Sequence, residues 1–468
     1  MDHTDDSAPG YSILTWGCQM NEDDSAQMAA MLEGRGYRKS EPEAAHVILL
    51  NTCSVRAKPE QKVYSMLGQL RALKQERPDT IIGVCGCMAQ KEAPLIRRRA
   101  PHVDMVIGTG QIDRLPSLID TIQRERKPII ATELPSRRER GDKQTPLRVM
   151  PGAQPRLKSF VSIMYGCDKF CHFCIVPITR GKERSRPADE ILREVERLAT
   201  LGTKEVTLLG QTVNSYGKFL DEPCTFAELL RRIAAIDGIE RIRYTSPYPK
   251  DFHDDVIDAI ASEPKVMPQV HMPIQVGDNE LLQRMHRGYT LDQYQGIVDK
   301  LRARIPHLCL TTDLMLGFPG ETEEQFDNTM TFVEKTRYDS AFMFAYSPRE
   351  GTKAAVMDGQ IPREDKIRRL EALIALQNRI TVEINDSQIG RVYDVLVEGR
   401  SPKDPSKWTG LNEQGKTINF PAVSDEDLFG LTVKVRATSA HLWGFGGEYL
   451  PEDRTRRAGA IPLAVASI

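Results

Sequence analysis

The amino-acid sequence predicts an α/β protein in three parts: an amino-terminal open parallel α/β sheet, a central partial (βα)6 barrel and a small all-β barrel at the carboxy-terminal end. Three observations predict it. Short apolar runs alternate with helical patterns from Tyr11 to about Gln123, and the alternation resumes on a larger scale from Phe160 to about Ser347. From about Ser387 the texture changes to short β-branched runs broken by Gly, Pro and Asn. The length of 468 residues suits about three domains at ~100–200 residues each. With 40% hydrophobic and 27% charged residues the composition is that of an ordinary folded, water-soluble chain. It has no run of about 18 apolar residues, and Met1–Gly10 is acidic and polar, so a cytoplasmic location with no membrane partner is expected. The formal net charge of −2 gives no whole-protein attraction to nucleic acid, so any such surface is local.

The amino-terminal unit is placed at residues 10–126. Tyr11–Thr15, Val47–Leu50 and Ile81–Val84 read as buried strands. Helical patterns follow near Asp24–Glu33 and Pro59–Glu76, with Pro59 at a favoured early helix position. Such alternation implies a parallel sheet with crossover helices. Cys18 follows the first strand, Cys53 the second and Cys87 the third. In a parallel sheet these loops share the carboxyl edge, where open α/β sheets bind ligands, so the three cysteines are expected to converge. Cys85, two residues before Cys87, alternates to the other face, and either could ligate.

Ala131–Lys158 reads as a linker. It carries Pro135, Pro146, Pro151 and Pro155, and Arg137, Arg138, Arg140, Lys143, Arg148, Arg156 and Lys158 against Glu133, Glu139 and Asp142. A solvated connection and a basic strip facing RNA are both consistent with that pattern. The central unit, placed at residues 153–384, shows six strands: Phe160–Met164, Glu205–Leu209, Arg241–Thr245, Val270–Ile274, Cys309–Leu316 and Ser340–Tyr346. Helical patterns at Pro187–Leu201, Ala227–Ile236, Leu291–Ala303 and Glu323–Lys335 fill the intervals. Six units are too few for a full eight-stranded barrel, hence a partial one. A long polar helix, Arg363–Ile384, is expected to leave this domain. In the last unit, placed at residues 387–451, Val392–Val397, Thr417–Phe420 and Leu431–Arg436 read as strands of a small barrel, followed by a disordered tail from about Glu452.

The strongest local signal is Cys167-Asp-Lys-Phe-Cys171-His-Phe-Cys174, directly after the first central strand. Nine cysteines, an odd number with uneven spacing, suit metal ligands or free thiols better than a disulfide framework. Four thiolates saturate a four-iron cluster; three would leave one iron open to chelate a small molecule. Zinc is the alternative, with His172 as a fourth ligand of poor reach. Cys309 lies in an apolar strand and reads as core, whereas Cys224 precedes a helix and reads as a surface or capping position.

Cys-x3-Cys-x2-Cys on the loop after the first strand of a partial barrel resembles the radical S-adenosylmethionine superfamily. Thr15-Trp16-Gly17-Cys18-Gln19-Met20-Asn21, Asn51-Thr52-Cys53-Ser54-Val55-Arg56 and Gly86-Cys87-Met88-Ala89-Gln90 resemble the methylthiotransferase amino-terminal domain, and the pattern before Met-Ala-Gln selects Cys87 over Cys85. Gly317-Phe318-Pro319-Gly320-Glu321-Thr322 and a final domain similar to a TRAM domain extend the likeness over nearly the whole chain. Phe173-Cys174-Ile175-Val176-Pro177, running into Thr179–Arg186, is similar to the MiaB-type tRNA methylthiotransferases.

That resemblance implies two 4Fe–4S clusters, one on Cys167, Cys171 and Cys174 and one on Cys18, Cys53 and Cys87, with two molecules of S-adenosylmethionine used per product. Cys167, Cys171 and Cys174 would carry the catalytic centre, and Phe173 would lie beside the cofactor's adenine. Gln211 and Asn214, in the Gly210–Asn214 turn after the second strand, are candidates for the cofactor's amino-acid end, or parts of a plain turn. Gln275 and His271 end the fourth strand at the barrel mouth and are candidate cofactor or substrate contacts, with core packing open for His271. Arg180-Gly181-Lys182-Glu183-Arg184-Ser185-Arg186 is a phosphate-binding candidate or a solvated loop. The implied reaction is methylthiolation of carbon 2 of N6-isopentenyladenosine at tRNA position 37, beside the anticodon. The alternatives are N6-threonylcarbamoyladenosine in tRNA or a ribosomal protein. The implied partners are that tRNA, an electron donor such as a flavodoxin or ferredoxin, and a sulfur or cluster donor.

Overall fold

The computed structural model describes residues 8–53, 57–135, 148, 156–422 and 426–451; most of the expected linker and the expected tail lie outside the described residues. The amino-terminal domain runs β1 (Gly10–Trp16), α1 (Gln19–Glu33), β2 (Arg38–Lys39), β3 (Val47–Thr52), α2 (Ala57–Glu76), β4 (Ile81–Gly86), α3 (Cys87–Arg99), β5 (Met105–Ile107), α4 (Leu115–Glu125) and β6 (Ile129–Ala131). The sheet order is β2-β1-β3-β4-β5-β6, parallel throughout. β3 and β4 are buried at every position, as interior strands covered on both faces must be. Met28 and Leu32 of α1 pack with Leu118 of α4 on one face; Leu67 of α2 and Met88 of α3 cover the other.

The central domain follows: β7 (Lys158–Ser162), β8 (Met164–Tyr165), α5 (Val176–Arg180), β9 (Arg184–Ser185), α6 (Ala188–Thr200), β10 (Glu205–Leu209), α7 (Phe226–Ala234), β11 (Arg241–Tyr244), α8 (Asp254–Ser262), β12 (Gln269–His271), α9 (Asn279–Arg284), α10 (Leu291–Arg304), β13 (Cys309–Leu316), α11 (Glu323–Thr336), β14 (Ser340–Ala345) and α12 (Arg363–Asp386). Its six main strands form two parallel triplets, β11-β10-β7 and β12-β13-β14, joined across a seam at the Ile242–Val266 bridge. Pro268 and Pro273, which lack N–H groups, flank β12 and interrupt its ladder, so this strand is shorter than the sequence predicts; pairing with β13 resumes at the Gln275–Leu314 bridge. α12 does not leave the domain. Leu373, Leu376 and Ile380 are buried, and Gln377 Nε2 donates to Tyr338 O at 2.8 Å just before β14, so the helix closes the barrel wall.

The last domain is a closed five-stranded barrel of order β15-β16-β17-β19-β18, from β15 (Val392–Ser401), β16 (Asp404–Leu411), β17 (Thr417–Pro421), β18 (Thr432–His441) and β19 (Gly444–Tyr449). Closure leaves no free sheet edge. The turn between β16 and β17 sits under the central barrel. Arg241 Nη1 donates to Leu411 O at 2.7 Å, Arg243 Nη2 to Asn412 O at 2.8 Å, and Lys416 Nζ pairs with Asp339 at 2.8 Å.

Candidate active site

The first cysteine triplet sits where strand register puts it. Trp16 is level with Thr52, and Thr52 with Gly86, so β1, β3 and β4 end together. Cys53 and Cys87 are the next residues, and Cys18 lies two beyond Trp16. The Cys53 side chain hydrogen-bonds to those of both Cys18 and Cys87. Two glycines make the room: a Cβ on Gly17 would stand 2.9 Å from Cys53 Cβ, and one on Gly86, at φ +89°, would stand 2.3 Å from Asn51 Oδ1. Buried Asn21 and Asn51 brace the loops, with Asn51 Nδ2 donating to Asn21 O at 2.8 Å. Hydrogen bonding to Cys53 lowers Cys18 to about 5 and Cys87 to about 7; burial opposes this and the Arg180 cation reinforces it. Cys53 is pushed up by the same hydrogen bonds. Cys85 is fully buried among Met28, Leu49 and Ile107 on the other face of the sheet.

The second triplet follows β8. Gly166, at φ +73°, turns the chain where a Cβ would stand 2.1 Å from Lys182 O. Cys167 N then donates to Gly181 O at 3.1 Å and Cys174 N to Cys171 O at 3.0 Å, folding the three cysteines into one loop. Burial pushes the Cys167 thiol up to about 11 and that of Cys174 up to about 12, so their thiolates need compensating positive charge. His172 is turned to the end of α9, with Nδ1 2.7 Å from Arg284 O and its ring stacked on His286 at 5.1 Å. Three thiols and an open fourth position suit the donor chemistry of an iron–sulfur cluster.

One cysteine of each triplet, Cys18 and Cys174, lines a single cavity of about 1070 Å³. Gly17, Cys18 and Glu22 enter it from the amino-terminal domain, Phe173, Cys174 and Gln275 from the central barrel, and Leu411 and Gly415 from the last domain. Gln275 sits at φ +75°, a conformation that costs a non-glycine residue energy and is typical of functional sites. His271 forms part of the wall, its Nδ1 2.9 Å from Thr311 Oγ1 and its ring edge-on to Phe342 at 5.7 Å. The Gln211 Oε1 atom is buried without a hydrogen-bond partner, and Gln211 is not among the residues that line the cavity. Asn214, expected at the cofactor, instead has its amide committed to Tyr248. Its Nδ2 donates to Tyr248 O at 2.9 Å, and its Oδ1 accepts from Tyr248 N at 2.7 Å.

Several basic residues have other work than the sequence suggested. Arg180 is buried against Asp24 at 2.8 Å, and Arg186 against Glu194 at 2.8 Å, so neither presents itself to phosphate. Arg148 of the linker is also buried, pairing with Asp23 at 2.6 Å and Glu194 at 3.0 Å. The Arg180–Asp24 pair and the Arg148 bridge between Asp23 and Glu194 fasten α1 to the barrel. Arg137, Arg138, Arg140 and Lys143 lie outside the described residues. Cys224 is buried at 5% exposure rather than at the surface, and the helix cap beside it is Thr225, whose hydroxyl accepts from Glu228 N at 3.2 Å. Cys309 is core, as expected. The sequence reading missed Arg287, whose Nη1 lies 3.4 Å from Cys171 Sγ; its signal is a lone cation in Met285–Tyr289.

The Radical SAM superfamily profile matches residues 161–333, that of the Uncharacterized protein family UPF0004 matches residues 10–108, and that of the TRAM domain matches residues 386–444. A protein of Carboxydothermus hydrogenoformans named tRNA-2-methylthio-N(6)-dimethylallyladenosine synthase is 44% identical over 93% of this chain and 98% of its own length. A protein of Moorella thermoacetica with the same name is 45% identical over 94% and 98%. Among solved structures, the radical S-adenosylmethionine methyltransferase TsrM from Kitasatospora setae aligns with TM-score 0.53 at 15% identity, over 75% of this chain and 74% of that one, a likeness of fold.

Proposed function

The chain belongs to the radical S-adenosylmethionine methylthiotransferase family, and on that premise we propose that it installs a methylthio group at carbon 2 of N6-dimethylallyladenosine at tRNA position 37. The observation that carries the reading is the shared cavity, which Cys18 of one triplet and Cys174 of the other both line. A sulfur carrier and a radical source must reach the same base, and a cavity of about 1070 Å³ has room for a flipped-out nucleoside beside a cofactor.

In this reading Cys167, Cys171 and Cys174 hold one 4Fe–4S cluster and Cys18, Cys53 and Cys87 a second. The first cluster with S-adenosylmethionine, when bound, supplies the radical that opens an adenine C–H bond no general base opens at neutral pH. Phe173 would lie beside the cofactor's adenine, while Gln275 and the unpartnered Gln211 acceptor would bind its polar end. The buried Arg180–Asp24 and Arg148–Asp23–Glu194 ion pairs hold the two triplets at a fixed separation. Two molecules of S-adenosylmethionine per product, a flavodoxin- or ferredoxin-type electron donor, a sulfur donor and a cytoplasmic location belong to the same proposal. Among the described residues no helix is long and apolar enough to cross a membrane.

The test is mass spectrometry of nucleosides from tRNA turned over by the reconstituted protein. Cys171→Ala should abolish deoxyadenosine release and keep about four irons on the amino-terminal site. Cys53→Ala should keep deoxyadenosine release and stop methylthiolation. Methylthiolation retained in both variants would sink the two-cluster reading.

A further inference from the structure

We propose that Arg287 is the charge partner of the cluster held by Cys167, Cys171 and Cys174, and that it raises that cluster's reduction potential; the inference rests on the cluster reading above. Arg287 follows α9 and is only 6% exposed. Its Nη1 stands 3.4 Å from Cys171 Sγ, its Nη2 donates to Pro273 O at 2.9 Å, and its Nε donates to the Tyr289 hydroxyl at 3.0 Å. The guanidinium also faces the rings of Tyr248 at 5.0 Å and Tyr289 at 5.4 Å. Every one of these neighbours is neutral except the sulfur, which would carry negative charge as a cluster ligand.

That company is unusual for a buried arginine in this molecule. Arg148, Arg180, Arg186, Arg243 and Arg369 each meet a carboxylate, at 2.6, 2.8, 2.8, 2.9 and 2.7 Å respectively. Arg241 meets two carbonyls of the carboxy-terminal barrel instead. The groups that act on Arg287 most strongly are Tyr289, Cys171 and Tyr248, and among the described residues no Asp or Glu forms an ion pair with it. A buried cation without a counter-charge is costly, and the negative charge of a thiolate-bound cluster is the one available here. The frame is rigid: Asn214 clamps the Tyr248 backbone, and the Tyr248 hydroxyl donates to Arg287 O.

Reduction adds one electron, delivered by an external one-electron donor, and one negative charge to the cluster. A cation hydrogen-bonded to a ligand sulfur therefore favours the reduced form over the oxidised one. This makes Arg287 a positioning and tuning residue, not a catalytic one.

The experiment is a dithionite and mediator titration followed by electron paramagnetic resonance, in a Cys53→Ala parent so that this cluster alone reports. Arg287→Met should keep the iron but lower the ratio of reduced to oxidised cluster at fixed potential at least tenfold, about 59 mV for a one-electron couple. Arg287→Lys, which keeps charge and loses the fork, should stay within threefold of the parent. In a Cys171→Ala parent, Arg287→Met should leave the remaining cluster's potential unchanged. A reduced-to-oxidised ratio for Arg287→Met within threefold of the parent overturns the proposal, as does an equal fall in Arg287→Lys. If Arg287→Met holds no iron, Arg287→Lys decides: iron and potential retained support the charge role, and iron lost overturns it. A Cys53→Ala parent that takes up no cluster refutes the cluster reading itself, and the proposal with it.

Discussion

Arg148→Ala should loosen the amino-terminal domain from the central barrel. The guanidinium lies 2.6 Å from Asp23 of α1 and 3.0 Å from Glu194 of α6, and none of the three side chains is more than 6% exposed. Truncating one partner of a buried ion pair costs about 3–5 kcal/mol, because the other charge is left buried. The lower end applies here, since Asp23 keeps the Ser162 hydroxyl and Glu194 keeps Arg186. At ~1.4 kcal/mol per decade, about 3 kcal/mol is roughly a hundredfold change in local opening. Hydrogen exchange by mass spectrometry, corrected for intrinsic rates, should show that acceleration across Gln19–Glu33. The effect should also depend on pH. Burial pushes the Asp23 carboxyl up, but Arg148, together with the Ser162 hydroxyl and Arg186, outweighs it and holds the group below the ordinary carboxylate value of about 3.8. In the parent that stabilisation is present at neutral pH and is lost only as pH falls through the depressed value. In the variant burial acts unopposed by Arg148 and raises the group, so the penalty is largest at neutral pH and shrinks on acidification as Asp23 takes up its proton. An acceleration below threefold, or one equal at pH 8 and pH 5, would refute the reasoning.

Three further outcomes follow from the same geometry. Gly17→Ala brings a methyl 2.9 Å from Cys53 Cβ and 2.6 Å from Asn21 Oδ1, an overpacking of about 1–3 kcal/mol. Iron should be lost from the amino-terminal site while deoxyadenosine release continues, as iron assay and chromatography will show. Arg243→Met leaves Glu205 buried without its 2.9 Å partner and unties the carboxy-terminal barrel, for about 3–5 kcal/mol. Faster proteolysis of that domain and more deoxyadenosine released per methylthiolated product are expected. Cys85→Ala, Cys224→Ala and Cys309→Ala should each retain the full iron content, at a stability cost on the order of 1 kcal/mol measured by thermal unfolding.

The cysteine triplets were legible because the chemistry that places them is local. Val47–Thr52 and Ile81–Gly86 are apolar runs that have to be interior parallel strands, and each ends at the residue before a cysteine. The β16 strand Asp404–Leu411 and the glycine-rich β19 strand Gly444–Tyr449 were not legible. They lack a β-branched alternation of their own and are strands only because the barrel closes on them. Met105–Ile107 and Ile129–Ala131, three residues each, were likewise too short for a pattern.

By itself, then, the sequence determined the three-part architecture, the six central strands, and the six cysteines at two strand-end edges, because strand length and burial pattern are written residue by residue. Only the tertiary structure decided what the charges do. Arg180 in a basic run looks the same whether it meets solvent or a carboxylate, and its partner Asp24 lies 156 residues away. Arg287 meets Cys171 across 116 residues. Electrostatic energy depends on distance and burial in three dimensions, and neither quantity can be read along the chain.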